Sequence, residues 1–144
     1  MKKAGKVLSL YISEKGNSVP VHKTELQLDP KGILGDKHYD STVERTILIS
    51  TVESYHMVEE ELGISMPAGY LGENILLDFN PYHLQSGQYL HIGSSILEIT
   101  QYCTLCKHLG SLDKRIPKLL KNDRGIFAKV VREGTIKVGD TVSF

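Results

Sequence analysis

The sequence predicts a mostly-β domain whose strands form a closed or nearly closed barrel, with one or two short helices. At least seven short stretches have strand character, and glycine-bearing turns separate many of them. Helical periodicity is confined to two places. Closing the sheet is the economical end state for so many short strands, because it removes exposed edges. At 144 residues the chain has the length of one ordinary domain spanning 1–144, large enough to enclose one core without cross-links. No linker, repeat or low-complexity tract divides it.

Taken in order, residues 5–12 alternate, with Leu8, Leu10 and Ile12 on one predicted inner face. A second strand should begin near Val19. Val19 and Val21 have odd parity whereas Leu26 and Leu28 have even parity, so a bulge or bend is expected near 23–25. Asp29-Pro30-Lys31-Gly32 reads as a turn, and the polar, aperiodic segment 32–41 as a loop. Thr46-Ile47-Leu48-Ile49 reads as a short buried strand. Ser50-x-x-Glu53 then resembles a capping box opening a helix that Gly63 should close. On that helix Val52, Tyr55, Val58 and Leu62 share a face, while Glu59, Glu60 and Glu61 form a solvated acidic run.

Strands are expected again at 75–77, 89–92, 95–100, 126–131, 135–138 and 141–144. Tight connections fall at Gly93-Ser94, Glu133-Gly134 and Gly139-Asp140. A helical stretch over about 107–120 interrupts them, limited or kinked by Pro117.

Lys plus Arg and Asp plus Glu each count 17, so no net charge draws the chain to nucleic acid or an anionic membrane surface. No apolar run approaches the roughly 18 residues of a membrane span, and none supplies the core of a signal peptide. Two cysteines alone do not make a disulfide scaffold, and a reducing, cytoplasmic setting is expected.

Those cysteines form Cys103-x-x-Cys106. Cys106 precedes Lys107-His108, where a helix N-terminus and an ammonium would both favour thiolate over thiol. Cys103 remains open between participant and small buried hydrophobe. A structural zinc would need two more ligands at suitable spacing, and no second cysteine pair exists. His38 lies in Gly35-Asp36-Lys37-His38, placed to move a proton, bond a ligand, or sit solvated. Gly35 would let backbone amides approach an anion, and Lys37 and Arg45 could supply charge. Glu73 and Asn74, in Gly69-Tyr70-Leu71-Gly72-Glu73-Asn74, could orient a polar heterocycle or simply cap a strand entry. Asp123-Arg124-Gly125 offers another fork for a phosphate or carboxylate, or a surface turn.

In this order the segments resemble the MOSC family, named for the C-terminal domain of molybdenum cofactor sulfurases. The likeness rests on Gly32-Ile33-Leu34-Gly35-Asp36-Lys37-His38 with Arg45, Gly72-Glu73-Asn74-Ile75, Leu84-x-x-Gly87 with Leu90-x-Ile92-Gly93, and Leu97-Glu98-Ile99-Thr100. It continues through Cys106-x-x-Leu109, Arg124-Gly125-Ile126-Phe127-Ala128-Lys129-Val130, Gly134 and Val138-Gly139-Asp140. Each motif is weak alone, but their order is specific. The resemblance implies a β-barrel, binding of molybdenum cofactor (molybdopterin), and a cysteine at position 106 that carries sulfur as a persulfide or contacts molybdenum. Asp36, His38, Arg45 and Asn74 match positions expected to line or support the pocket. A cysteine desulfurase donor or a molybdoenzyme acceptor would be the partners. No pyridoxal phosphate site is expected, because the desulfurase domain of full-length sulfurases has no counterpart here. The resemblance likewise takes in no stretch matching the N-terminal extension of amidoxime-reducing members, so their activity is not the leading expectation. Reduction of N-hydroxylated compounds and non-catalytic cofactor carriage are the rival expectations.

Overall fold

The computed structural model describes residues 1–104 and 109–144. Eleven strands are found among the described residues: β1 (Lys3–Ile12), β2 (Val21–Lys23), β3 (Glu25–Asp29), β4 (Gly32–Ile33), β5 (Ile47–Thr51), β6 (Ile75–Leu77), β7 (Tyr89–Ile92), β8 (Ser95–Tyr102), β9 (Ile126–Arg132), β10 (Gly134–Lys137) and β11 (Thr141–Ser143). Two α-helices accompany them among the described residues, α1 (Val52–Leu62) and α2 (Ile116–Leu119).

The main sheet runs β11-β7-β8-β9-β5-β6-β1-β2, and a further pairing of β11 with β1 closes it. Seven strands therefore form a barrel, with β2 appended to β1 outside the ring. A second, three-stranded sheet, β10-β3-β4, stands beside it. Most ladders are antiparallel, as short turns allow. The exception is β5 with β6, joined in parallel through α1 and the glycine-rich segment after it. Leu10, Ile47, Ile49, Ile75, Leu90, Ile92 and Leu97 fill the barrel interior with essentially no exposure. Each such side chain contributes about 1.5–3 kcal/mol of burial free energy. Val58, Met66, Leu71, Leu109, Ile116 and Leu120 form a smaller core under α1. No described helix is long and apolar enough to cross a membrane.

Several expectations are corrected. Leu8 does not share the inner face of β1: it is 43% exposed, whereas Val7 is buried. The β1–β6 register shifts between Val7 and Ser9, and a one-residue bulge reverses which parity points inward. The second strand starts at Val21, leaving Val19 exposed. The expected break at 23–25 falls at Thr24, where the chain leaves β1 as partner and pairs instead with β10. Gly32–Ile33, expected within a loop, pairs with β3.

The helix cap is Thr51 rather than Ser50. The Thr51 side chain accepts from the Glu53 N–H, while Ser50 Oγ donates to the Arg124 carbonyl 3.0 Å away. Gly63 closes α1 in the left-handed conformation, as expected. The three glutamates are exposed. In place of one helix over 107–120, the described part holds a 3-10 turn at Leu109–Ser111 and then α2. Pro117 sits in the first turn of α2, where its missing N–H costs nothing, so it starts a helix instead of kinking one.

Candidate functional site

The loop after β4 is drawn onto the end of β1 by backbone and side-chain bonds. Gly35, at φ +88°, supplies the left-handed turn, and the Lys37 N–H donates to the Ser13 carbonyl at 2.6 Å. Between them Asp36 is buried with both carboxylate oxygens occupied. Oδ1 accepts from the Ser13 N–H (2.8 Å) and from Asn74 Nδ2 (3.2 Å). Oδ2 accepts from the His38 N–H (3.0 Å) and stands 3.3 Å from His38 Nδ1. Burial works to raise the Asp36 pKa, but the His38 ring and the two N–H groups outweigh it and hold the carboxyl below its ordinary range. Asp36 thus stays charged and fixes the imidazole, whose side chain is about half exposed at 49%.

Asn74 is the other half of this tie. Its Oδ1 accepts from the Leu48 N–H at 3.0 Å, and its Nδ2 also reaches the Tyr11 carbonyl at 3.2 Å. Its backbone joins β5 to β1 through Leu48 and Tyr11. Asp36 and His38 from one motif and Asn74 from another are therefore one network, but the Asn74 amide is committed to the protein itself. Glu73 points elsewhere. It is 2% exposed, its Oε2 accepts from Tyr55 Oη at 2.7 Å, and Oε1 is buried without a hydrogen-bond partner among the described residues. Burial pushes its carboxyl up to about 7. Burial and the Glu73 charge likewise push the Tyr55 phenol upward.

Lys37 reaches the wall of a cleft of about 640 Å³ between the 13–20 loop and the 67–72 segment. Ser13, Asn17, Ser18 and Lys37 give it polar groups, and Val19, Pro20, Pro67 and Tyr70 an apolar wall. The walls approach closely because residue 69 is glycine: a Cβ there would lie 2.7 Å from Pro20 Cγ. Tyr70 Oη donates to the Leu109 carbonyl (3.0 Å), lies 3.2 Å from Ser111 Oγ, and accepts from the Leu112 N–H (3.2 Å). Ser111 itself lines the cleft. Tyr70 and Tyr55 received no role from the sequence; the one available signal was a tyrosine set among glycines in Gly69-Tyr70-Leu71-Gly72.

Cys106 lies outside the described residues. On the N-terminal side of that gap, Cys103 is buried, with its N–H on the Gly125 carbonyl (3.0 Å). It borders a second cavity of about 400 Å³ with Tyr82, Tyr102, Thr104, Lys121, Asn122 and Gly125. Arg124, expected to fork a ligand anion, gives Nη1 to the Thr104 carbonyl and Nη2 to the Pro117 carbonyl, each at 2.9 Å. Arg45 ends a 3-10 turn with its guanidinium 5.9 Å from the Phe127 ring centroid, outside the Asp36–Asn74 network. No group of three or more His, Cys, Asp or Glu able to hold a metal occurs among the described residues.

Among proteins of curated function none matches. Solved structures do. The YUAD protein from Bacillus subtilis is similar at TM-score 0.85 and 22% identity, over 98% of this chain and 96% of that one. YiiM from Escherichia coli is similar at TM-score 0.71 and 17% identity, over 97% of this chain and 69% of that one. YiiM from Geobacillus stearothermophilus gives TM-score 0.70 and 18% identity, over 96% and 71%. At these identities the likeness is one of fold. The family model described as the MOSC domain matches residues 33–143, from the loop that carries Asp36 to the strand that closes the barrel. That family is associated with molybdenum cofactor binding. The chain belongs to the MOSC domain family.

Proposed function

We propose that this domain holds a molybdopterin-type ligand in the cleft beside Lys37 and handles sulfur through Cys106. One observation carries the reading. The cleft joins a cation on an Asp36-anchored loop to an apolar wall, and Ser111, three residues beyond the 105–108 segment, lines it. Its donor set suits a heterocycle bearing a phosphate. Lys37 would neutralise the phosphate, Asn17 and Ser18 would meet polar ring edges, and Val19, Pro20 and Pro67 would shield the ring from water. When bound, the cofactor supplies a molybdenum centre able to take a terminal sulfur.

The protein's own part is nucleophilic. The Cys106 thiolate attacks the outer sulfur of a donor persulfide; a new S–S bond forms on Cys106, the donor's S–S bond breaks, and the donor leaves as thiolate. Electrons balance without a further oxidant. His38, oriented by Asp36 and next in the chain to the cleft-lining Lys37, would hold or deliver the proton.

Incubation with a cysteine desulfurase and free cysteine, followed by intact mass, tests this. The wild type should gain one sulfur that thiol reductant removes, and Cys106→Ser should gain none. No gain in the wild type, or the same gain in Cys106→Ser, overturns the sulfur-carrier reading. In that event Cys106→Ser separates the rivals: a carrier retains ligand binding, whereas a reductase loses turnover.

A further inference from the structure

One oxygen, Tyr70 Oη, gathers the 3-10 turn Leu109–Ser111 onto the wall of the cleft beside Lys37. It donates to the Leu109 carbonyl at 3.0 Å, accepts from the Leu112 N–H at 3.2 Å, and lies 3.2 Å from Ser111 Oγ. The ring that carries it is pinned. The Tyr70 N–H donates to the Pro67 carbonyl (3.0 Å), the Gly72 N–H donates to the Gly69 carbonyl (2.9 Å), and the ring packs on the small core that includes Leu71 and Leu109. Holding the turn would take only the two backbone bonds. The third contact reaches a side chain that lines the cleft and is exposed.

A phenol has one hydrogen, and here it goes to the Leu109 carbonyl, which can only accept. Ser111 Oγ must therefore donate to Tyr70 Oη, and a hydroxyl that directs its hydrogen inward meets any other group as an acceptor. The opposite sign holds elsewhere in the cleft. Lys37 carries donors only, and Asn17 Oδ1 already accepts from the Val19 N–H at 3.0 Å, so Asn17 adds its amide N–H groups. We infer that Ser111 is a ligand-binding residue, held by the positioning residue Tyr70 as a hydrogen-bond acceptor for an amino group on the heterocycle, whose anion and ring oxygen meet Lys37 and Asn17. The inference rests on the reading of this cleft as the ligand site. It narrows the ligand to an amino-oxo heterocycle bearing an anion, and it disfavours a dioxo ring, whose oxygen would face the Ser111 lone pairs without a hydrogen between them.

Two fluorescent probes of nearly equal shape provide the test: hydroxymethylpterin monophosphate, with an amino group on its pyrimidine ring, and its lumazine counterpart, with oxygen in that place. Affinities are read by fluorescence titration of wild type, Ser111→Ala, Tyr70→Phe and Lys37→Ala. The wild type should prefer the pterin by about fivefold, the worth of one hydrogen bond. Ser111→Ala, at an exposed position, should lower that ratio by about as much. Tyr70→Phe lets the serine hydrogen turn toward the ligand and should carry the preference to the lumazine, a change of sign that a merely structural role would not produce. No preference in the wild type, or a ratio unmoved in Ser111→Ala, overturns the inference, and equal loss of both probes counts as unmoved. A ratio unmoved in folded Tyr70→Phe overturns it too. If that variant fails to fold or to bind, the Ser111→Ala ratio decides alone. Binding of neither probe by the wild type, or binding indifferent to Lys37→Ala, removes the cleft reading itself, whereas Lys37-dependent binding with a ratio indifferent to residue 111 removes this inference alone.

Discussion

Two buried carboxylates, Asp36 and Glu73, meet opposite fates because of what surrounds them. Asp36 receives four hydrogen-bonding approaches and keeps its charge, so it stabilises the fold above its unfolded pKa and ceases to do so as pH falls through its lowered folded value. Glu73 receives the Tyr55 hydroxyl and little else, and burial raises it from 4.5 to about 7. Its unfolded form therefore releases a proton that the folded form retains between those values. Stability contributed by the neutral carboxyl is full below about 4.5 and is lost as pH rises through about 7. Glu73→Gln should accordingly change stability little at pH 5 and raise it at pH 8, by on the order of 3 kcal/mol or less. Urea unfolding at the two pH values measures this, and equal effects at both would show that the carboxyl does not titrate there. The Asn74 amide carries the complementary lesson: a polar side chain in a strand-entry motif serves the backbone of β1 and β5 first. Asn74→Ala strands the Leu48 N–H and the Tyr11 carbonyl and should cost about 2–4 kcal/mol in the same assay.

At the scale of elements, hydrogen bonds chose between neighbours that sequence patterns could not separate. Ser50 and Thr51 both suit a helix cap. Ser50 belongs to a fully buried strand whose hydroxyl finds the Arg124 carbonyl, leaving Thr51 to cap α1. Thr51→Ala should lower stability by about 1 kcal/mol, read as a fall in melting temperature. In β1 the parity of the apolar residues gave the strand, but the bulge that turns Leu8 outward depends on how β6 and β11 pair with it. The α2 region shows the converse. Periodicity there suggested a longer helix, yet packing of Leu109, Ile116 and Leu120 into the small core divides it into separate turns.

For the molecule as a whole, closure depends on β11, which pairs with β1 on one side and β7 on the other, while the corner between β9 and β10 sets the second sheet beside the β7–β8 turn. At that corner a Cβ on Gly134 would lie 2.7 Å from the Ser94 carbonyl, and backbone cannot step aside as a side chain can. Gly134→Ala should destabilise by about 1–3 kcal/mol in chemical unfolding, with displacement of the Ser94 turn between β7 and β8 as its cause. The sequence by itself determined the mostly-β class, the extent of nearly every strand, the Gly63 stop, and the clustering of candidate chemistry at Gly35, Asp36, Lys37, His38, Glu73, Asn74 and Arg124. These are local properties: side-chain period, turn chemistry and propensity act over a few residues. Only the tertiary structure decided which of those groups meet. Asp36 joins His38 and Asn74, Glu73 turns to Tyr55, Arg45 lies against Phe127, and Arg124 bonds the Thr104 and Pro117 carbonyls. The reason is physical: Asp36 and Asn74 are brought together by the pairing of distant strands, and a buried side chain bonds whatever that pairing sets beside it.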